Sequence, residues 1–233
     1  MQLGEDTTTM SMTLNPVNEA AFQKAVQSLE TLNRAAVFHP TGTGKSCIAW
    51  KVVEAHPQTT FFWLVAGAQR LALRQSELTR YNGGTLPGNV RFCDCEKLAA
   101  ATPEQWVRLG EQKPGCIVLD CYHELSAVCW AQSVQKLLRM CPQAKVLGLG
   151  VPNGAPVCAA AQELFADCIV SHMTVAEAMA AGTMPVPSAY AALLWPQEEE
   201  LATLRARIKN LCMPKGDTSL RVQYEELSWS LRQ

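Results

Sequence analysis

The sequence predicts an α/β fold, a parallel sheet with helices on both faces, and three observations carry that expectation. Residues 35–46 (AAVFHPTGTGKS) read as a short buried strand, a glycine-bearing loop and the start of a helix. Residues 116–120 (CIVLD) are four apolar residues leading into a carboxylate. Open parallel sheets place their ligands at such carboxyl ends of strands. Along the rest of the first 187 residues, strand-like and helix-like stretches alternate, the pattern of parallel strands joined by covering helices.

Asn15-Pro16 is a helix start, an asparagine cap followed by proline at the first helical position. The helix should run to about Leu32 with Ala21, Phe22, Ala25, Val26 and Leu29 on one face. Residues 35–38 form the first strand and 45–55 the helix after the loop. Residues 60–65 (TFFWLV) form a continuous apolar run, as a central strand buried on both faces requires. A helix over 69–80 carries Arg70, Arg74 and Arg80, followed by a strand over 90–93 and a helix over 103–109. After 116–120, helix 127–140, strand 145–149, helix 158–165, strand 168–170 and helix 174–181 complete the alternation, the last ending at Gly182.

The loop itself specifies chemistry. Gly42 and Gly44 permit backbone conformations that β-carbons disfavour and let amides approach phosphate oxygens. A helix beginning near Lys45 aims its free N–H groups and positive dipole end at an anion. Lys45 is placed for the β- and γ-phosphates, and the Ser46 hydroxyl for Mg²⁺. Thr41, Gly42, Thr43, Gly44, Lys45 and Ser46 are therefore the expected ligand-binding residues. The strict pattern GxxxxGK[ST] wants glycine where His39 stands, whereas the looser form xxxGxGK[ST] is satisfied by residues 39–46.

Composition narrows the classes. At 233 residues, with 48% hydrophobic residues and a formal net charge of -1, the chain supports a large core and carries no whole-chain attraction to nucleic acid or membrane. No apolar run reaches the roughly 18–20 residues of a membrane-spanning helix. Residues 1–14 read as a loose polar leader, 15–187 as the α/β domain, and 188–233 as a helical appendage with a charged helix at 197–211. The expected location is cytoplasmic. The ten cysteines are scattered, Cys93-x-Cys95 is the closest pair, and nothing completes a zinc set, so they read as reduced and buried. His39, His56 and His172 read as structural.

With the loop and the CIVLD strand in place, residues 15–187 resemble the first RecA-like motor domain of superfamily 2 DEAD/DEAH-type helicases. HPTGTGKS is similar to motif I, residues 117–123 (IVLDCYH) to the Walker B segment, and residues 145–153 (KVLGLGVPN) stand at motif III. Residues 163–187 resemble the end of that domain in bacterial members, through a T-x-x-E-A-x-x-x-G-x-x-P-x-P run. The resemblance implies ATP and Mg²⁺ as cofactors, with phosphates held by Thr41–Ser46 and Mg²⁺ by Ser46 and Asp120. Lys45, Asp120 and His123 become the catalytic set, His123 coupling the nucleotide site to the rest of the motor. Arg70 and Arg74 fall near motif Ia, on the polynucleotide side, and Gln23 stands where such ATPases often keep an adenine-binding glutamine.

The departures are specific. The family's catalytic glutamate is replaced by Cys121, a mostly protonated group that orients an attacking water poorly. Gly150-Val151-Pro152 replaces Ser-Ala-Thr, Asp94-Cys95 stands at motif Ib, and Glu124 is displaced by three positions from the catalytic place. No second motor domain follows in this sequence, and such a domain supplies the arginine finger, worth roughly 10³–10⁵ in rate. The expected function is thus the ATP-binding domain of a helicase-like protein, impaired in hydrolysis on its own and open to a partner carrying the second domain. The alternatives are a non-catalytic nucleotide-binding interaction module or a degenerate helicase fragment. A small-molecule kinase ranks below these for lack of an arginine-rich lid.

Overall fold

The computed structural model describes residues 12–120, 122, 128–152, 163–185, 202, 203 and 206. Two compact units span Met1–Val186 and Pro187–Gln233. In the second, Ala202, Thr203 and Ala206 are helical, and the remainder of the expected 197–211 helix lies outside the described residues, as does the 1–11 leader.

The first unit begins with α1 (Pro16–Thr31), whose Asn15 side chain accepts a hydrogen bond from the Asn18 amide at 2.8 Å. β1 (Arg34–Phe38), α2 (Lys45–Ala55), β2 (Phe61–Val65) and α3 (Ala68–Tyr81) follow. Next come β3 (Val90–Asp94), the short α4 (Cys95–Ala99) that sequence reading missed, and α5 (Pro103–Glu111). After β4 (Cys116–Leu119) come α6 (Val128–Met140), β5 (Lys145–Gly150), β6 (Ile169–His172) and α7 (Val175–Ala180). Of the expected 158–165 helix, residues 163–165 are helical and 158–162 lie outside the described residues. α5 and α7 each start with a capping box, Thr102 with Gln105 and Thr174 with Glu177.

Six strands form one sheet in the order β3-β2-β4-β5-β1-β6, and every pairing is parallel. The expected α/β architecture is therefore present. β2 and β4 are buried at every position, which is why they read as unbroken apolar runs. On one face of the sheet, Ala21, Ala25 and Leu29 of α1 pack with Ile48, Trp50 and Val52 of α2. On the other, Leu98, Trp106 and Leu137 bring α4, α5 and α6 together with Phe38 and Phe165.

The topology creates a crevice. From β1 the chain passes through α2 to β2, three positions toward the β3 edge. From the adjacent β5 it passes to β6, on the far side of β1. Connections leaving neighbouring strands in opposite directions open a gap above their carboxyl ends, where α/β sheets bind ligands.

β5 needs its glycines for packing. A β-carbon on Gly148 would sit 2.5 Å from the Phe165 ring, and one on Gly150 would overlap the Phe38 ring. Both rings are buried at 1% exposure or less and have nowhere to retreat. Gly150→Ala should therefore lower the unfolding free energy by about 1–3 kcal/mol, read from the urea midpoint, through overpacking alone.

Candidate functional site

The loop between β1 and α2 occupies the crevice. Gly42 at φ +86° and Gly44 at φ +90° both adopt the left-handed region, where a β-carbon costs roughly 1–2 kcal/mol. Gly44 is the N-cap of α2 and brings no side chain to the helix amides, so the first turn remains directed into the crevice. Thr43 is buried and locks the loop on itself, its hydroxyl donating to the Pro40 carbonyl at 2.8 Å. Thr41 and Gly42 are exposed at the tip. Lys45 folds back into the loop, its Nζ donating to the carbonyls of His39 at 2.7 Å and Pro40 at 2.8 Å. The ammonium is thus already held among loop oxygens.

A second support was not foreseen. Asn18 of α1 is buried, and its Nδ2 donates to the Thr43 carbonyl at 2.8 Å. Its Oδ1 is buried without a partner. A β-carbon on Gly44 would come within 2.8 Å of the same Nδ2, so glycine at 44 and asparagine at 18 fit each other. The signal was in the sequence: Asn18 shares the buried stripe of Ala21, Ala25 and Leu29, and a polar side chain on such a stripe needs a partner.

Asp120 follows the end of β4 and is 2% exposed. Its Oδ2 accepts from Trp63 Nε1 at 3.2 Å and from Arg74 Nε at 2.5 Å. Arg74 also donates through Nη1 to Glu77, one turn along α3, at 2.5 Å. Burial pulls the Arg74 pKa down, but the Asp120 charge and hydrogen bond, then Glu77, outweigh it and hold the pKa above its ordinary value.

A cleft of about 470 Å³ gathers these groups. Thr41, Gly42, Gly44, Lys45 and Ser46 line one part, Asp120 and Val151 another, and Arg70, Leu73, Arg74, Glu77 and Tyr81 of α3 a third. Lys45, Ser46 and Asp120 are therefore brought together as the sequence implies. Arg70 and Arg74, expected near motif Ia on the polynucleotide side, stand beside the phosphate loop. Both line the phosphate-loop cleft, because α3 packs with that face toward Asp120. Gln23 is exposed on α1, donates to Glu19 at 2.9 Å and is not among the described residues lining the cleft. Cys121, His123 and Glu124 lie outside the described residues.

The loop and α2 suit a polyphosphate. The carboxylates among the described lining residues suit direct Mg²⁺ ligation poorly, because both are already engaged. Asp120 Oδ2 already accepts two hydrogen bonds, and Glu77, the other carboxylate among the described lining residues, is paired with the same guanidinium. No group of three or more histidine, cysteine, aspartate or glutamate side chains arranged for a metal occurs among the described residues. Burial pushes the thiols of Cys93, Cys95 and Cys116 up to about 12, which makes them inert packing groups.

No family model matches the sequence, and no curated protein matches it. One similar solved structure is domain III of the Thermotoga maritima replication initiation protein DnaA, at 14% identity and a TM-score of 0.37, covering 100% of this chain and 85% of that one. The class is accordingly defined by the molecule itself: a parallel α/β sheet with helices on both faces and a phosphate-type loop at its switch point, the P-loop architecture. No helix among the described residues is long and apolar enough to cross a membrane.

His39 links the loop to the sheet. It is fully buried, and its Nε2 meets Ser171 Oγ on β6 at 2.8 Å, while Nδ1 is buried without a partner. Burial, then the charges of Lys45 and His172, lowers its pKa from 6.5 to about 4. The unfolded chain takes up that proton more readily, so the contribution of neutral His39 is complete above pH 6.5 and is lost as pH falls toward 4. Wild type should lose roughly 2 kcal/mol more than His39→Gln between about pH 7 and about pH 5, measured by denaturant titration at each pH.

Proposed function

We propose that this chain is the nucleotide-binding domain of a helicase-like ATPase, that it binds ATP through residues 41–46, and that its own hydrolysis is impaired. The observation that carries the reading is the loop. Two left-handed glycines, the open N-terminus of an eleven-residue helix and a lysine folded against the loop carbonyls stand together at the sheet's switch point. On ATP binding, Lys45 would exchange the carbonyls of His39 and Pro40 for phosphate oxygens, a stronger charge-assisted pairing. The first-turn amides of α2 would face the same anion. Helicase-type ancestry is supported by the order of loop, CIVLD strand and GLGVP segment, as a resemblance of motifs.

Impaired hydrolysis is supported by two features. Cys121 directly follows Asp120 where a glutamate would orient water. Asp120 itself is engaged by Arg74 and Trp63. The second feature favours a particular version of the reading, in which the bound nucleotide works as a fold stabiliser or switch within an interaction module. Arg70 and Arg74 are better explained as groups of the phosphate cleft than as a polynucleotide surface, since both line it.

Titration calorimetry with ATP on the full chain tests the assignment. Binding should be saturable and weakened at least about tenfold by Lys45→Ala, which removes a charge-assisted contact worth ~1.5–3 kcal/mol. Steady-state turnover should be at least ~10³-fold below that of two-domain motors. Equal heats of binding for wild type and variant, or no binding to either, would remove ATP from the site.

A further inference from the structure

We propose that the cleft takes up its polyphosphate ligand without a divalent metal, Arg74 donating hydrogen bonds to phosphate beside Lys45 in the place of metal coordination. The inference rests on the ATP-binding reading above and specifies how that site holds its ligand.

The argument starts from the acceptors. A magnesium ion needs hard oxygen ligands in near-octahedral geometry, commonly one or two carboxylates plus waters and phosphate. Two carboxylates line the cleft among the described residues, Asp120 and Glu77, and one guanidinium holds both. Asp120 Oδ2 also accepts from Trp63, a residue of β2 with no exposed surface, so both of its usual acceptor directions are filled from the protein. Ligating a metal through Asp120 Oδ2 would require breaking a pair in which Asp120 is 2% exposed, and a divalent cation on this carboxylate would stand beside a guanidinium. The like-charge contact and the uncompensated arginine both oppose it.

The donors complete the picture. A guanidinium carries five N–H groups in a rigid plane. Asp120 engages Arg74 at Nε and Glu77 engages it at Nη1. Nη2 is the nitrogen that neither carboxylate engages, and Arg74 lines the cleft together with Lys45 and Ser46. A guanidinium held at two of its three nitrogens by two carboxylates has already lost its side-chain freedom. The N–H groups of Nη2 can then donate to phosphate oxygens at little further ordering cost. Arg70, one turn earlier on α3, lines the same cleft.

The test measures the affinity of ATP bearing a fluorescent ribose tag, by anisotropy on the full chain, in Mg²⁺ and in excess EDTA. Wild type should bind within about twofold in the two buffers, and Arg74→Gln should weaken the EDTA affinity by about tenfold or more, as loss of a charged hydrogen-bond donor does. Wild-type binding that survives in Mg²⁺ but falls tenfold or more in EDTA would overturn the metal-free proposal and leave the ATP-binding reading standing. No binding in either buffer would overturn both. Metal-independent binding untouched by Arg74→Gln would overturn the role given to Arg74. Arg74→Lys keeps a cation opposite Asp120 and removes the fork, and its circular dichroism and EDTA affinity supply the same comparison should Arg74→Gln fail to fold.

Discussion

Asp120 is a carboxylate with 2% exposure at the end of a fully buried strand, and a buried charge must be met by an opposite charge and by hydrogen bonds. That requirement organises the cleft. Trp63 meets it from the neighbouring strand, and Arg74 meets it from α3. α3 has one buried residue, Leu78, with Leu71 and Tyr81 partly buried against the same core cluster. Its docking joins that narrow apolar contact to the Arg74–Asp120 pair, while Glu77 holds the same guanidinium from within the helix. Removing one partner of a buried pair costs about 3–5 kcal/mol in measured cases, more than replacing both together. The cleft and the α3 docking are in this sense one interaction.

The phosphate loop depends on a second constraint, backbone conformation. Gly42 and Gly44 accept positive φ, and Asn18 fixes the loop by holding the Thr43 carbonyl from another helix. His39 continues the β1 pairing through its amide, which donates to the Gly150 carbonyl at 3.2 Å, and its ring reaches Ser171 on β6. The residue that replaces glycine in the strict loop pattern thus ties the loop's entrance to strands on either side of β1. A buried, neutral imidazole beside Lys45 suits that place, because a charged one would repel the ammonium.

Much of the local structure was legible because its causes are local. The Asn15-Pro16 start of α1 and the 45–55 helix follow from capping and periodicity. So does the end of α7, where Gly182 takes φ +67°. The T-x-x-E run that contributes to the helicase resemblance has a plain physical role here, since Thr174 and Glu177 form the capping box of α7. That stretch of the likeness is accounted for by helix initiation. α4 escaped notice because it is five residues long, too short for a periodic signal, and Asp94 caps it.

The sequence by itself determined the parallel α/β architecture, the loop and its lysine, and the position of Asp120 at a strand end. Each of these is written in a run of adjacent residues: an apolar stretch, a glycine pair, a carboxylate after four buried positions. Only the tertiary structure decided what those groups touch. Arg74 and Asp120 are 46 residues apart, Asn18 and Thr43 are 25 apart, and Trp63 and Asp120 are 57 apart. No propensity or spacing rule encodes such contacts, because they arise from strand order and helix docking. The same separation in sequence explains why the sequence alone did not place Arg70 and Arg74 in the phosphate-loop cleft, which they line because the sheet brings α3 against the loop.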